Sequence, residues 1–129
     1  MATDEDGIRT TIAQYCHFCD DGRFEEWADL YTEDAVFEVF GTEHRGRETV
    51  RAFIEKAQPP EKRGKHVCFN SVIEVTGDTA RAWTDFIFLA TTPEGPAITN
   101  TGRYHDRFRR DPDRWRFVER HIVFPGEDQ

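Results

Sequence analysis

An α+β fold is what the sequence predicts, with helices in the first half laid against one face of a curved antiparallel sheet built by the second. Two observations carry this. Apolar residues recur at helical spacing up to about residue 57, and four long alternating runs separated by turn signals fill most of the rest. No repeat, low-complexity stretch or linker divides the chain, so one domain over residues 1–129 is expected, long enough for a sizeable core.

Taking the elements in order, Ile8, Ile12, Tyr15, Cys16 and Cys19 form an apolar stripe over residues 4–20. Thr3 serves as N-cap, Asp4 to Asp6 complement the helix dipole, and Asp21-Gly22 is a stop signal. A short second helix, Phe24 to Tyr31, buries Phe24, Trp27 and Leu30 or Tyr31, and Thr32-Glu-Asp34 breaks it. Ala35 to Phe40 reads as a strand and Gly41 to Gly46 as a turn. Arg47 to Ala57 is a third helix with Val50, Phe53 and Ile54 inward. Pro59-Pro60 ends it, and a polar link (Glu61 to Gly64) leads to strands at 65–76, 79–92, 97–110 and 114–124. Gly77-Asp78, Pro93-Glu-Gly-Pro96 and Asp111-Pro-Asp113 supply the turns.

Alternation sorts each strand into two faces. In the first, Val67, Phe69, Ile73 and Val75 are expected in the core, opposite a polar stripe of His66, Cys68 and Asn70. The second sets Ala82, Thr84, Phe86 and Phe88 against Trp83, Asp85, Ile87 and Leu89, both faces substantially apolar. The third sets Gly102, Tyr104, Asp106 and Phe108 against Arg103, His105 and Arg107. In the last, Trp115, Phe117, Glu119 and His121 oppose Arg116, Val118, Arg120 and Ile122. A sheet apolar on both faces also suits a homodimer or higher homo-oligomer.

A net charge of −8 argues against nucleic acid, which is bound by neutralising phosphates with Lys and Arg. The basic cluster from Arg103 to Arg116 is interleaved with Asp106, Asp111 and Asp113 and reads as a salt-bridged edge. No apolar run approaches a membrane span, and the acidic start does not resemble a signal or transit peptide, so a cytoplasmic location is expected. Eleven Phe and three Trp against one Met point to an aromatic interior. Cys16-His-Phe-Cys19 has C-x-x-C spacing, but it lies late in a helix on the apolar side, and no second Cys/His pair completes a zinc site. The cysteines read as small buried hydrophobes, and no metal is expected.

The order and spacing of several motifs resemble those of a SnoaL-like domain, of the cone-fold superfamily named after nuclear transport factor 2. They are Tyr15-x4-Asp20-x-Gly22, Trp27-x3-Tyr31-x2-Asp34-Ala-Val-Phe37 and Gly46-Arg-Glu-x-Val50 in the first half. Lys65-His66-x3-Asn70, Gly77-Asp78-x-Ala80-x-Ala82, Gly102-Arg-Tyr104-x-Asp106-x-Phe-Arg-Arg110, Trp115-Arg-Phe117 and Glu119-Arg120 continue it. The resemblance spans about residues 7–124. It implies a cone-shaped, strongly curved antiparallel sheet and three helices enclosing a hydrophobic cavity. It is nearest in motif to the scytalone dehydratase, bile-acid dehydratase and hexachlorocyclohexane dehydrochlorinase branch, where an Asp late in the first helix pairs with a His opening the first long strand. Asp20 and His66 match those positions, and Tyr15 matches a tyrosine five residues before the Asp.

The resemblance therefore implies a lyase or isomerase of dehydratase, dehydrohalogenase or cyclase type, acting on a small hydrophobic oxygenated ring without metal or organic cofactor. Asp20 would orient the imidazole of His66 as general base, and Tyr15 would donate to developing charge. Asn70, Trp83, Phe86, Phe88, Tyr104 and Arg103 are the candidate substrate-binding residues. Arg103 and Arg120 would either anchor a substrate carboxylate or pair with Asp106 and Glu119. Two other readings have the same fold: a module that binds a small molecule without reaction, and a non-catalytic β-subunit of a ring-hydroxylating dioxygenase. No Asp-Arg-Asp set suited to epoxide hydrolysis stands out.

Overall fold

A computed structural model describes residues 3–127, leaving the first two and last two positions of the expected domain outside the described residues. The chain runs α1 (Asp4–Asp20), α2 (Phe24–Ala28), β1 (Tyr31–Val39), β2 (Thr42–Arg45), α3 (Arg47–Ala57), a 3₁₀ turn at Pro60–Lys62, β3 (Lys65–Thr76), β4 (Thr79–Thr92), β5 (Gly95–Arg110) and β6 (Trp115–Val123). α1 opens on a capping box, with the Thr3 hydroxyl accepting from the Asp6 amide and the Asp6 carboxylate accepting from the Thr3 amide. Its inner stripe, Ile8, Ile12, Tyr15, Cys16 and Cys19, is buried as the periodicity predicts. Among the described residues no helix is long and apolar enough to cross a membrane.

One six-stranded sheet has the order β2-β1-β6-β5-β4-β3. It is mixed rather than wholly antiparallel, because β1 lies parallel to β6. α2 is shorter than the sequence predicts. Leu30 leaves the helix to accept a hydrogen bond from the Phe117 amide, and Tyr31 pairs with Phe117, so the chain enters the sheet early. Thr32-Glu-Asp34 lies in an irregular stretch of β1, and the expected turn after it contains β2, paired antiparallel with β1.

Two bulges correct the predicted faces. Between the Phe69–Asp85 and Val72–Trp83 pairs β3 spends two residues, Asn70 and Ser71, against one on β4, with Asn70 at φ 55°. Side-chain parity reverses there. Ile73 and Val75 therefore share the inner face with His66 and Cys68, while Val67 and Phe69, expected in the core, are 37% and 41% exposed. Val118 plays the same part in β6, between Phe117–Phe108 and Glu119–Arg107. It puts Arg120 and Ile122 on the inner face with Phe117, where strict alternation had set them opposite.

The aromatic core joins the layers. Trp27 packs between Tyr15 and Tyr31 at ring-centroid distances of 5.4 and 4.8 Å, and Tyr31 and Phe108 both lie against Phe117. Side chains from β1, β3, β4, β5 and β6 line one cavity together with Tyr15 of α1 and Phe53 and Ile54 of α3. Five strands can do this only if the sheet curls around the space, and the helices close it.

Candidate functional site

α1 and β3 run side by side, and the last residue of the helix meets the second residue of the strand. The Asp20 carboxylate accepts from the His66 backbone amide at 3.0 and 3.2 Å, and its Oδ1 lies 2.6 Å from His66 Nδ1. Both side chains are nearly buried, 5% and 9% exposed, whereas Asp21 beside them is exposed. Gly22, at φ 72°, turns the chain away directly after the pair, and the Arg63 guanidinium occupies the space where a side chain would otherwise stand. An ionised carboxylate only accepts, so this contact places the imidazole proton on Nδ1 and leaves Nε2 as the basic nitrogen. Nε2 has no hydrogen-bond partner among the described residues.

His66 is also part of the wall of the cavity, about 280 Å³, with Tyr15, Phe86, Phe88 and Tyr104. The Phe88 ring stands edge-on to the imidazole at 4.8 Å, and that of Tyr15 at 5.8 Å. Burial pushes the Tyr15 hydroxyl well above its ordinary range, against a smaller opposing pull from the Arg120 cation. Tyr15 therefore meets the cavity as a neutral O–H donor. Tyr104, stacked on Phe86 at 4.4 Å, is raised for the same reason.

Beneath these tyrosines lies a buried ion pair. Arg120 Nε and Nη2 donate to the two oxygens of Asp106, each at 2.8 Å, and both side chains are 0% exposed. The guanidinium faces the rings of Tyr104, Tyr15 and Phe117 at 3.6, 4.3 and 4.4 Å. Of the two predicted roles for Arg120, pairing with Asp106 is the one the structure shows. Asp106 holds the guanidinium firmly protonated even where burial opposes its charge.

Five of the nine predicted site residues outside or inside the pair, Tyr15, His66, Phe86, Phe88 and Tyr104, thus border one cavity, and Asp20 holds His66 from behind. Asn70, Trp83 and Arg103, expected to bind substrate, do not border this cavity. The first sits in the bulge with its amide donating to Asp85, and Arg103 donates to the other Asp85 oxygen at 2.7 Å. Trp83 and Arg103 alternate with the inward Thr84 and Tyr104 and so lie on the outer face. Sequence reasoning passed over Phe37, Phe53, Lys62, Asn100 and Phe124, which also border the cavity. Phe37 was findable from the alternation Ala35, Phe37, Val39; Lys62 lies in a link with no periodicity to read. Among the described residues no group of three or more His, Cys, Asp or Glu is placed to hold a metal ion.

The sequence matches the family model of the SnoaL-like domain over residues 1–121. Among solved structures it is similar to a protein of unknown function from Mycobacterium tuberculosis, with 31% identity, a TM-score of 0.85, and coverage of 91% of this chain and 69% of that one. An NTF2-like protein with a cystatin-like fold from Novosphingobium aromaticivorans is 26% identical, with a TM-score of 0.86 over 97% of this chain and 84% of that one. A protein from Catenulispora acidiphila, solved in complex with S-DNPA, is 25% identical, with a TM-score of 0.78 over 90% and 89%. Comparison with curated proteins returned no match.

Proposed function

The chain belongs to the SnoaL-like domain family, and from that premise we propose that it is a cofactor-independent lyase or isomerase whose general base is His66, oriented by Asp20. One observation carries the reading: a carboxylate 2.6 Å from Nδ1 of an imidazole whose other nitrogen is unpartnered among the described residues, at the wall of an aromatic cavity. Nε2 removes a proton from a carbon beside a carbonyl or a leaving group, and the imidazolium formed is stabilised by Asp20. Tyr15, kept neutral by burial, donates to the oxygen on which charge develops or to a departing hydroxyl. Proton transfer by such a pair contributes on the order of 10²–10⁴ in rate, and positioning in the cavity adds to it.

Cavity size and lining support a small hydrophobic oxygenated ring as substrate. An apolar cavity of ~150 Å³ already admits benzene, so about 280 Å³ suits one or two rings carrying an oxygen for Tyr15. The S-DNPA complex of the Catenulispora relative supports uptake of a ligand by such a fold.

The test is Asp20→Asn and His66→Ala assayed against a panel of hydroxylated and ketonic ring compounds. Each should abolish turnover while the melting temperature stays nearly unchanged. Full activity in either variant sinks the proposal. Tight binding without product, at an affinity indifferent to pH across the histidine range, would instead identify a binding module.

A further inference from the structure

The C-x-x-C spacing of α1 points at the wrong partner. The sulfur that Cys16 meets is that of Cys68 on β3, at 3.4 Å, while Cys19 is fully buried. This pair stands beside the carboxylate–imidazole contact in a regular way. Cys16 precedes Asp20 by four residues on the helix, and Cys68 follows His66 by two on the strand. Four helical residues advance about 6 Å and two strand residues about 6.7 Å, so the two contacts are adjacent rungs between elements running in opposite directions.

The sulfur rung is reachable from outside. A groove of about 350 Å³ between α1 and β3 is lined by Arg9, Ile12 and His17 with Cys16, Cys68 and His66. Cys68 is half-buried and Cys16 lies deeper. The pair is also asymmetric. The hydrogen bond from Cys16 and the charge of Arg120 hold the Cys68 thiol below its ordinary value, and the same hydrogen bond, with burial, pushes Cys16 up. Of the two, Cys68 is the sulfur that ionises more readily, and Cys16 is the S–H placed to support it.

We propose that Cys68 and Cys16 form a site of reversible oxidation by hydroperoxides, Cys68 attacking and Cys16 resolving, whose product is a disulfide fastening α1 to β3 beside His66. In the first step the Cys68 thiolate takes the terminal oxygen of hydrogen peroxide. The O–O bond breaks, and the hydroxide released gains a proton to leave as water, giving a sulfenic acid. In the second, the Cys16 sulfur attacks that sulfur and expels hydroxide, which takes the Cys16 proton as a second water. Two thiols and one hydrogen peroxide become one disulfide and two waters, with two electrons passing from the sulfurs to the peroxide. The sulfurs must approach by a further ~1.4 Å to reach bonding distance, which adjustment of the two side chains supplies. In a reducing compartment such a bond is transient, as a reversible modification requires.

The full chain treated with hydrogen peroxide should lose two hydrogens in mass, fall from three titratable thiols to one after denaturation, and yield a Cys16–Cys68 linked peptide. Dithiothreitol should reverse all three. Cys19→Ser should behave as the parent does, Cys68→Ser should form no disulfide, and Cys16→Ser should stop at a sulfenic acid that dimedone traps. A parent protein that keeps its mass, a link that uses Cys19, or oxidation of Cys68 without a link overturns the proposal. If either rung variant fails to fold, the peptide map of the parent and of Cys19→Ser still decides. Because the readout is thiol chemistry, a failure leaves the reading of Asp20 and His66 untouched, and the converse holds.

Discussion

Asp106→Asn is the substitution whose cost the structure sizes best. It preserves shape and removes the negative charge that Arg120 faces through two 2.8 Å hydrogen bonds, in a place where neither side chain is exposed at all. Among the described residues Arg120 pairs with no other carboxylate. Its Nη1 makes no hydrogen bond among the described residues, and the rings of Tyr104, Tyr15 and Phe117 are what remain around the cation. Ring faces offset a desolvated cation by up to about 2 kcal/mol, whereas removing one partner of a buried pair costs about 3–5 kcal/mol. A domain of this size has about 5–15 kcal/mol in all, so the variant should melt on the order of 10–20 °C lower. Urea unfolding followed by tryptophan fluorescence measures the loss directly. The companion is the double variant Asp106→Leu with Arg120→Met, which removes both charges and keeps much of the volume. It should lie within about 2 kcal/mol of the parent, because replacing a whole buried pair by apolar groups is often close to neutral. A loss below about 1 kcal/mol in Asp106→Asn, or a double variant that costs the sum of the single ones, would refute this account of the pair.

Two further outcomes follow from single positions. Burial, then the neighbouring His121 and Arg103, hold the His105 imidazole below its ordinary value, with Asp106 opposing them. The unfolded chain therefore binds that proton first, and the contribution of His105 is full above about pH 6.5 and declines as pH falls through that value. His105→Asn should flatten the fall of the urea midpoint below about pH 6.5; an unchanged slope counts against it. At Gly64 a Cβ would stand 2.1 Å from the Leu89 carbonyl oxygen, a backbone atom that cannot swing aside. Gly64→Ala should cost about 1–3 kcal/mol and displace the start of β3, read as a lower melting temperature together with a changed His66 imidazole signal by NMR.

What was legible in the chain was what short-range pattern carries. The α1 stripe and its cap, the limits of α3 and the Gly77-Asp78 turn are local and stand where periodicity and turn residues put them, whereas the turn expected over 93–96 is tighter, with Gly95 and Pro96 already paired in β5. The parallel docking of β1 on β6 was not legible, because it joins segments about eighty residues apart and leaves no mark on either. The bulges were invisible for a different reason. One unpaired residue leaves composition unchanged yet reverses every side chain after it, which is why Phe69 was assigned to the core and Arg120 to the opposite face. Asn70, with a positive φ, was the available clue. Asp20 and His66 were singled out by resemblance alone, since residues 46 apart on a helix end and a strand start share no periodicity.

The β1–β6 pairing also sets a timetable. β3 to β6 can join one hairpin at a time, each strand meeting its predecessor, but β1 has only the short β2 until Trp115–Val123 has been made. During synthesis the apolar side of α1 and the edge of β1 emerge first and wait longest, and pairing across such separations is slow. The seat of β1 in the sheet therefore has to wait for the last strand of the chain.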